Sequence, residues 1–201
     1  YEDPVHSIRR QSEGVYAMLH FLAYERENGR RHPEWEQKMK NMLDILLQLQ
    51  HEDGSFPRKF HDDFTIVDNS GGSTPSATLP LIMGYKYFKD KRYLASAKRT
   101  ADYLEKVLIS KADYFSSTLD ANCEDKEASL YAATATYYLS LITKGDEHRH
   151  YADLTRKAAY FALSWYYVWD VPFAQGQMLG DIGLKTRGWG NVSVENNHID
   201  V

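Results

Sequence analysis

The 201-residue chain lacks most of the features that announce a function. It has a single cysteine, Cys123, so no intrachain disulfide can form. No apolar run approaches the ~20 residues that span a bilayer, so no membrane span is expected. The net charge is −4, which gives no electrostatic case for binding nucleic acid. No CxxC or HExxH pattern suggests zinc, and the acidic stretches match no EF-hand spacing. Gly71 and Gly72 lack the lysine of a phosphate loop. No metal or cofactor is therefore expected. Aromatic residues are plentiful: 15 Tyr, 8 Phe and 4 Trp. They serve cores, and they also line ligand clefts.

The pattern in the chain is a repeat. Three segments of helical period are each followed by a second one. Laid over one another, Trp35, Tyr93 and Tyr151 coincide, each 58 residues from the last. Met39, Ala97 and Thr155 then match without a gap, as do Leu43, Ala101 and Ala159. Phe21, Leu79 and Tyr137 match in the first helices, and Phe56, Tyr114 and Pro172 after the second ones. The second helices are amphipathic: Leu94, Ala97, Ala101, Leu104 and Leu108 share one face. The first helices are apolar nearly all round, as in "LYAATATYYLSLI" (residues 130–142), and should be buried on most sides. An inner row of buried helices and an outer row of amphipathic ones is the all-α arrangement this implies. The first helix is read as starting at Glu13.

Links within a pair are short, with Asp90 and Asp146 placed to cap and Pro33 suited to a first turn. Links between pairs are long, spanning about 51–75, 109–126 and 169–197. Each pair reverses the chain, so all long links gather at the N-terminal ends of the inner helices. That end is the expected site face.

These hairpins, with "LLQLQHEDGSFPRKF" (46–60) closing an outer helix and "KDKRYLASAKRTADYL" (89–104), resemble the α/α-toroid superfamily, the six-hairpin glycosidases and their relatives. "QxxDGSF" is also similar to terpene cyclases and prenyltransferases, which share the toroid. The resemblance implies a funnel-shaped pocket at the N-terminal ends of the inner helices. It also implies about six hairpins, where this sequence holds three and the beginning of a fourth. The expectation is a single toroid domain over 1–201, a piece of a larger catalytic domain. Its open sides would meet the remaining hairpins or a homo-oligomer partner.

A glycoside hydrolase needs two carboxyl groups, one kept protonated by its surroundings. Asp120, Glu124 and Asp125 in "TLDANCEDKEAS" (118–129) are candidates, with Glu127 beside them and Asp68 on the first long loop. The other reading is structural: Asp125 or Asn122 caps the third inner helix and Glu127 sits at the positive end of its dipole. Cys123 reads as a buried structural thiol, since acidic neighbours make a poor nucleophile. Asn69, Trp189, Glu195, His198 and Asp200 are candidate substrate contacts, Trp189 as a stacking surface for sugar C–H faces. Ser73 or Thr74 is placed to cap the second inner helix. The expected function is a carbohydrate-active enzyme, a glycoside hydrolase first. A lyase or epimerase of the same fold, or a glycan- or protein-binding module, are the alternatives. The chain opens on Tyr1, not Met, and secretion or a periplasmic location would suit a polysaccharide enzyme.

Overall fold

The computed structural model describes residues 5–115 and 123–191, and the backbone of 199–200. Three helical hairpins follow one another. The first is α1 (Ile8–Glu27) with α2 (Pro33–Leu49), the second α3 (Thr74–Phe88) with α4 (Lys91–Tyr103), and the third α5 (Lys126–Ile142) with α6 (Gly145–Leu163). The inner helices pack in the order α1, α3, α5, and α3 and α5 each carry their outer partner. Among the described residues no helix is long and apolar enough to cross a membrane.

Helix α1 begins at Ile8, more than a turn before Glu13, where the sequence pattern places it. Its buried stripe, Ile8, Ser12, Val15, Leu19 and Leu22, steps by four and three throughout. Pro33 opens α2 at a position whose N–H needs no partner. Asp90 caps α4, accepting from the Arg92 N–H at 2.9 Å. Asp146 lies inside the first turn of α6, because that helix starts one residue earlier. Thr74 Oγ1 accepts from the Phe56 N–H at 2.8 Å, which ties the first long link to α3.

Only the middle inner helix is buried all round. The matched repeat positions show this directly: Leu79 is 5% exposed, whereas Phe21 is 43% and Tyr137 is 48% exposed. The same residue position is core where a hairpin stands on both sides and surface where one side is open. Leu141, Tyr160 and Leu163 continue the open side of the third hairpin.

The "QHEDGSF" stretch (50–56) is a structural clip. Gln50 Nε2 donates to the Ser96 carbonyl at 3.1 Å and to Thr100 Oγ1 at 3.0 Å. Its oxygen accepts from Ser96 Oγ at 2.7 Å. Gly54 has φ +90°, and a Cβ there would lie 2.1 Å from the Arg99 carbonyl oxygen. Only glycine fits this approach of turn to α4.

The long links are ordered in different ways. The first supplies β2 (Lys59–His61) and β3 (Ile66–Asp68), which form an antiparallel sheet with β1 (Val5–Ser7), the strand before α1. Beyond Tyr103 the second outer helix continues as a π-helical turn, Leu104–Ile109. The wide spacing persists past it, with the Asp113 N–H reaching the Leu108 carbonyl at 3.0 Å. The third link leaves α6, makes the short α7 (Met178–Asp181), and returns as β4 (Gly190–Asn191), which pairs with β5 (Ile199–Asp200). Its base is closed by the Tyr167 N–H on the Trp189 carbonyl at 2.8 Å and the Asn191 N–H on the Trp165 carbonyl at 3.0 Å.

Candidate functional site

The first turn of α5 separates two differently built environments. On its α1 side, Arg9 reaches Glu13 through Nε at 2.9 Å and Glu127 through a terminal nitrogen at 2.5 Å. Tyr131 donates its hydroxyl to Glu13. One turn further on, Tyr16 and Tyr138 share a hydrogen bond of 2.8 Å. Spacings of four and three along α1, and of four and seven along α5, put these residues on facing stripes. Burial alone would make Arg9 less basic, but Glu13 and Glu127 more than offset it and hold the guanidinium protonated. Burial and Glu13 together push the Tyr131 phenol up. The sequence pattern hides Arg9 and Glu13, because it starts α1 too late.

Asp125 sits between the two environments, fully buried. It caps α5 by accepting from the Glu127 N–H at 2.6 Å, and its second oxygen has no partner. Burial raises its carboxyl above the ordinary aspartate range, against the pull of that bond. On the α6 side lies Glu124, bridged to Phe115 in a short antiparallel contact. One oxygen of Glu124 accepts from the Tyr114 N–H at 3.1 Å. The other is buried and accepts no N–H or O–H from the fold, the Asp113 carboxyl being the side chain within hydrogen-bonding reach of Glu124, and the indole N–H of Trp165 is buried and unpartnered. Glu124 lines an open pocket of about 460 Å³ with Phe161, Ser164, Trp165 and Asn191. Burial lifts its carboxyl above the usual range, and the like charges of Asp113 and Asp125 add to the rise. No sequence motif singles out Asp113; the widened turn after α4 is what brings it here.

The remaining sequence candidates lie elsewhere. Asp68 accepts from the Ser70 N–H at 2.9 Å and pairs with Arg58 at 3.3 Å. Burial works to raise its carboxyl, and these groups bring it below the usual range. Neither of these partners belongs to the group of carboxylates around α5. Asn69 follows it on the same loop. Trp189 is half-buried at the base of the third link, two residues before Asn191 of the pocket wall. Cys123 is half-exposed, less buried than the structural thiol its acidic neighbours suggest. Asp120, Glu195 and His198 lie outside the described residues, and of Asp200 only the backbone is described. Among the described residues no three His, Cys, Asp or Glu side chains are placed to hold a metal ion together.

No model of a known protein family matches the chain. Solved structures do. The structure of a D-mannose isomerase is 13% identical, with a TM-score of 0.59 over 84% of this chain and 45% of that one. An unsaturated glucuronyl hydrolase specific for heparin is 16% identical, with a TM-score of 0.61 over 92% and 55%. A sugar epimerase from a ruminal bacterium is 12% identical, with a TM-score of 0.58 over 98% and 50%. In fold, the chain is part of an α/α toroid. It spans about half the length of each of these structures. All three carry the names of sugar-processing enzymes. The resemblance carried by the repeated hairpins and the likeness in three dimensions therefore agree.

Proposed function

We propose that the chain belongs to a carbohydrate-active enzyme that cleaves glycosidic bonds, with Glu124 as the proton donor. The observation that carries this reading is a carboxyl raised by burial at the wall of an open aromatic pocket. A departing sugar oxygen must receive a proton, and a carboxyl raised above its ordinary range is the better placed to hold and supply one. Phe161 and Trp165 offer apolar faces to a sugar ring, and Ser164 and Asn191 offer polar contacts. Asp113, exposed and close enough to repel charge on Glu124, is the proposed carboxylate that offsets positive charge developing on the sugar. Asp125 is a positioning residue. It fixes the start of α5 and keeps like charge beside Glu124.

A second reading is sugar isomerisation or epimerisation, favoured because two of the similar structures carry those names. Proton transfer would then fall to Glu13 and Glu127 on the α1 side. One screen separates the readings. Wild type and Glu124→Gln are incubated with neutral, uronic and amino-sugar oligosaccharides and monosaccharides, with reducing ends and NMR spectra followed. Reducing ends released by wild type and lost in the variant support Glu124 as the acid. Unchanged release in the variant overturns that assignment. New monosaccharide isomers without new reducing ends overturn bond cleavage. Binding with neither product leaves the glycan-binding module.

A further inference from the structure

A second pocket, of about 210 Å³, lies between α2 and the three-stranded sheet. It shares no lining residue with the Glu124 pocket. Its walls are Met42, Ile45, Phe60 and Phe64. The two phenyl rings lie 22° from parallel with centroids 6.4 Å apart, and His6 continues the aromatic wall 5.4 Å from Phe60. At the rim, His6 Nε2 is hydrogen-bonded to one oxygen of Asp62, and Gln11 Nε2 lies 3.4 Å from His6 Nδ1. The Asp62 side chain lines the pocket and is mostly exposed.

The backbone carries an independent sign. Phe64 stands at φ +68°, at the tip of the β2–β3 hairpin. Its N–H bonds to the His61 carbonyl at 2.9 Å, which closes the turn. Glycine or asparagine relaxes such a position, and a bulky aromatic residue there is strained. The strain holds an apolar ring over the pocket that a relaxed turn residue would leave open.

We infer that this pocket binds one neutral sugar ring, as a subsite separate from the Glu124 pocket. The choice of a sugar rests on the carbohydrate reading above. The geometry asks for a ligand with one apolar face and a hydroxylated edge, and the volume admits a single ring. The C–H face packs on Phe60 and Phe64. A hydroxyl donates to the exposed carboxylate of Asp62. A uronate is disfavoured, because Asp62 would repel it.

The test uses the full chain carrying Glu124→Gln, so that turnover does not consume the probe. Methyl glycosides of neutral hexoses and of glucuronic acid are titrated while the His6 ring nitrogens are followed by NMR. The expected result is a saturable shift of His6 with a neutral glycoside and none with the uronide. Phe64→Gly is expected to raise the Tm, because it relieves the strained backbone, and to weaken binding at least tenfold. Asp62→Asn should weaken it similarly. A neutral glycoside that leaves His6 unshifted overturns the proposal, as does undiminished binding by Phe64→Gly. Self-association through this face, abolished by Phe64→Gly in sedimentation, overturns it in favour of a contact between copies. Sugar release is scored separately on the Glu124 pair. Loss of the acid assignment with His6 still titrating leaves the subsite standing, and the converse leaves the acid standing.

Discussion

On one side of the α5 N-terminus, Arg9, Glu13, Glu127 and Tyr131 complete one another's bonds; on the other, Glu124 and Trp165 each bury a polar atom with no partner. Both sides sit at the same helix end and feel the same dipole. Carboxylates are at ease at that end in general, so the dipole does not explain the difference. What differs is the company. Arg9 supplies a cation to two acids from two helices, while the charged groups that act on Glu124 are the acids Asp113 and Asp125. A folded chain seldom keeps a buried polar group unpaired, because each such group costs about 1–3 kcal/mol. The balanced side reads as architecture that joins α1 to α5. The unbalanced side reads as the place where a ligand completes the bonding.

The largest expected effect falls on the unbalanced side. Glu124→Gln should lower turnover by about 10²-fold or more, the usual contribution of a positioned acid. The loss should be in kcat with little change in KM, measured by reducing ends on whichever oligosaccharide wild type cleaves. A comparable loss from Glu127→Gln, with Glu124→Gln active, would move the chemistry to the α1 side.

Next in size is the balanced side. Arg9→Met leaves Glu13 and Glu127 facing each other without a cation. All three side chains are partly exposed, so the loss in urea unfolding should be about 2 kcal/mol, below the roughly 3–5 kcal/mol of a fully buried pair. Adding Glu127→Gln to Arg9→Met should return about half of it. A double variant no more stable than the single one would show that the seam is held by packing alone. Asp125→Ala comes third, at about 1 kcal/mol for a lost cap. Asp125→Asn should cost less, since it keeps the oxygen that accepts from the Glu127 N–H.

The hairpins were legible because burial imposes a period, and the period survives in every copy. The 58-residue spacing puts Tyr93 and Tyr151 at one structural position, and both are buried there. Trp35, at the same position, is exposed. Composition cannot reveal that, because exposure at the flanks depends on what stands beside them. The cap at Asp125 was legible from its place before an apolar run. Arg9 and Glu13 were hidden by a polar opening, "IRRQSEG", in which Ser12 is a buried stripe position. Ser7 precedes that helix with no side-chain cap bond to mark its start. Asp113 was hidden by a π turn, whose extra residue per turn rotates the chain beyond it in a way that no 3.6-residue template anticipates.

The smallest effect is read from the pH dependence of the unbalanced side. Burial raises the Glu124 carboxyl above its ordinary value of 4.5 in the folded chain. Stability linked to this group is therefore fully present below pH 4.5 and is lost as pH rises through the raised value. Glutamine has no charge to desolvate, so Glu124→Gln should be the more stable protein at pH 7. Solvent reaches this pocket, so the gain should be on the order of 0.5 kcal/mol, about 1–2 °C in Tm for a chain of this length. It should vanish at about pH 4, where wild type is protonated as well. Asp125 shifts in the same direction, so some pH dependence should remain in the variant. The Glu124→Gln curve should thus approach wild type from above as the pH falls. A curve that runs parallel to wild type would mean that the Glu124 side of α5 is not governed by charge.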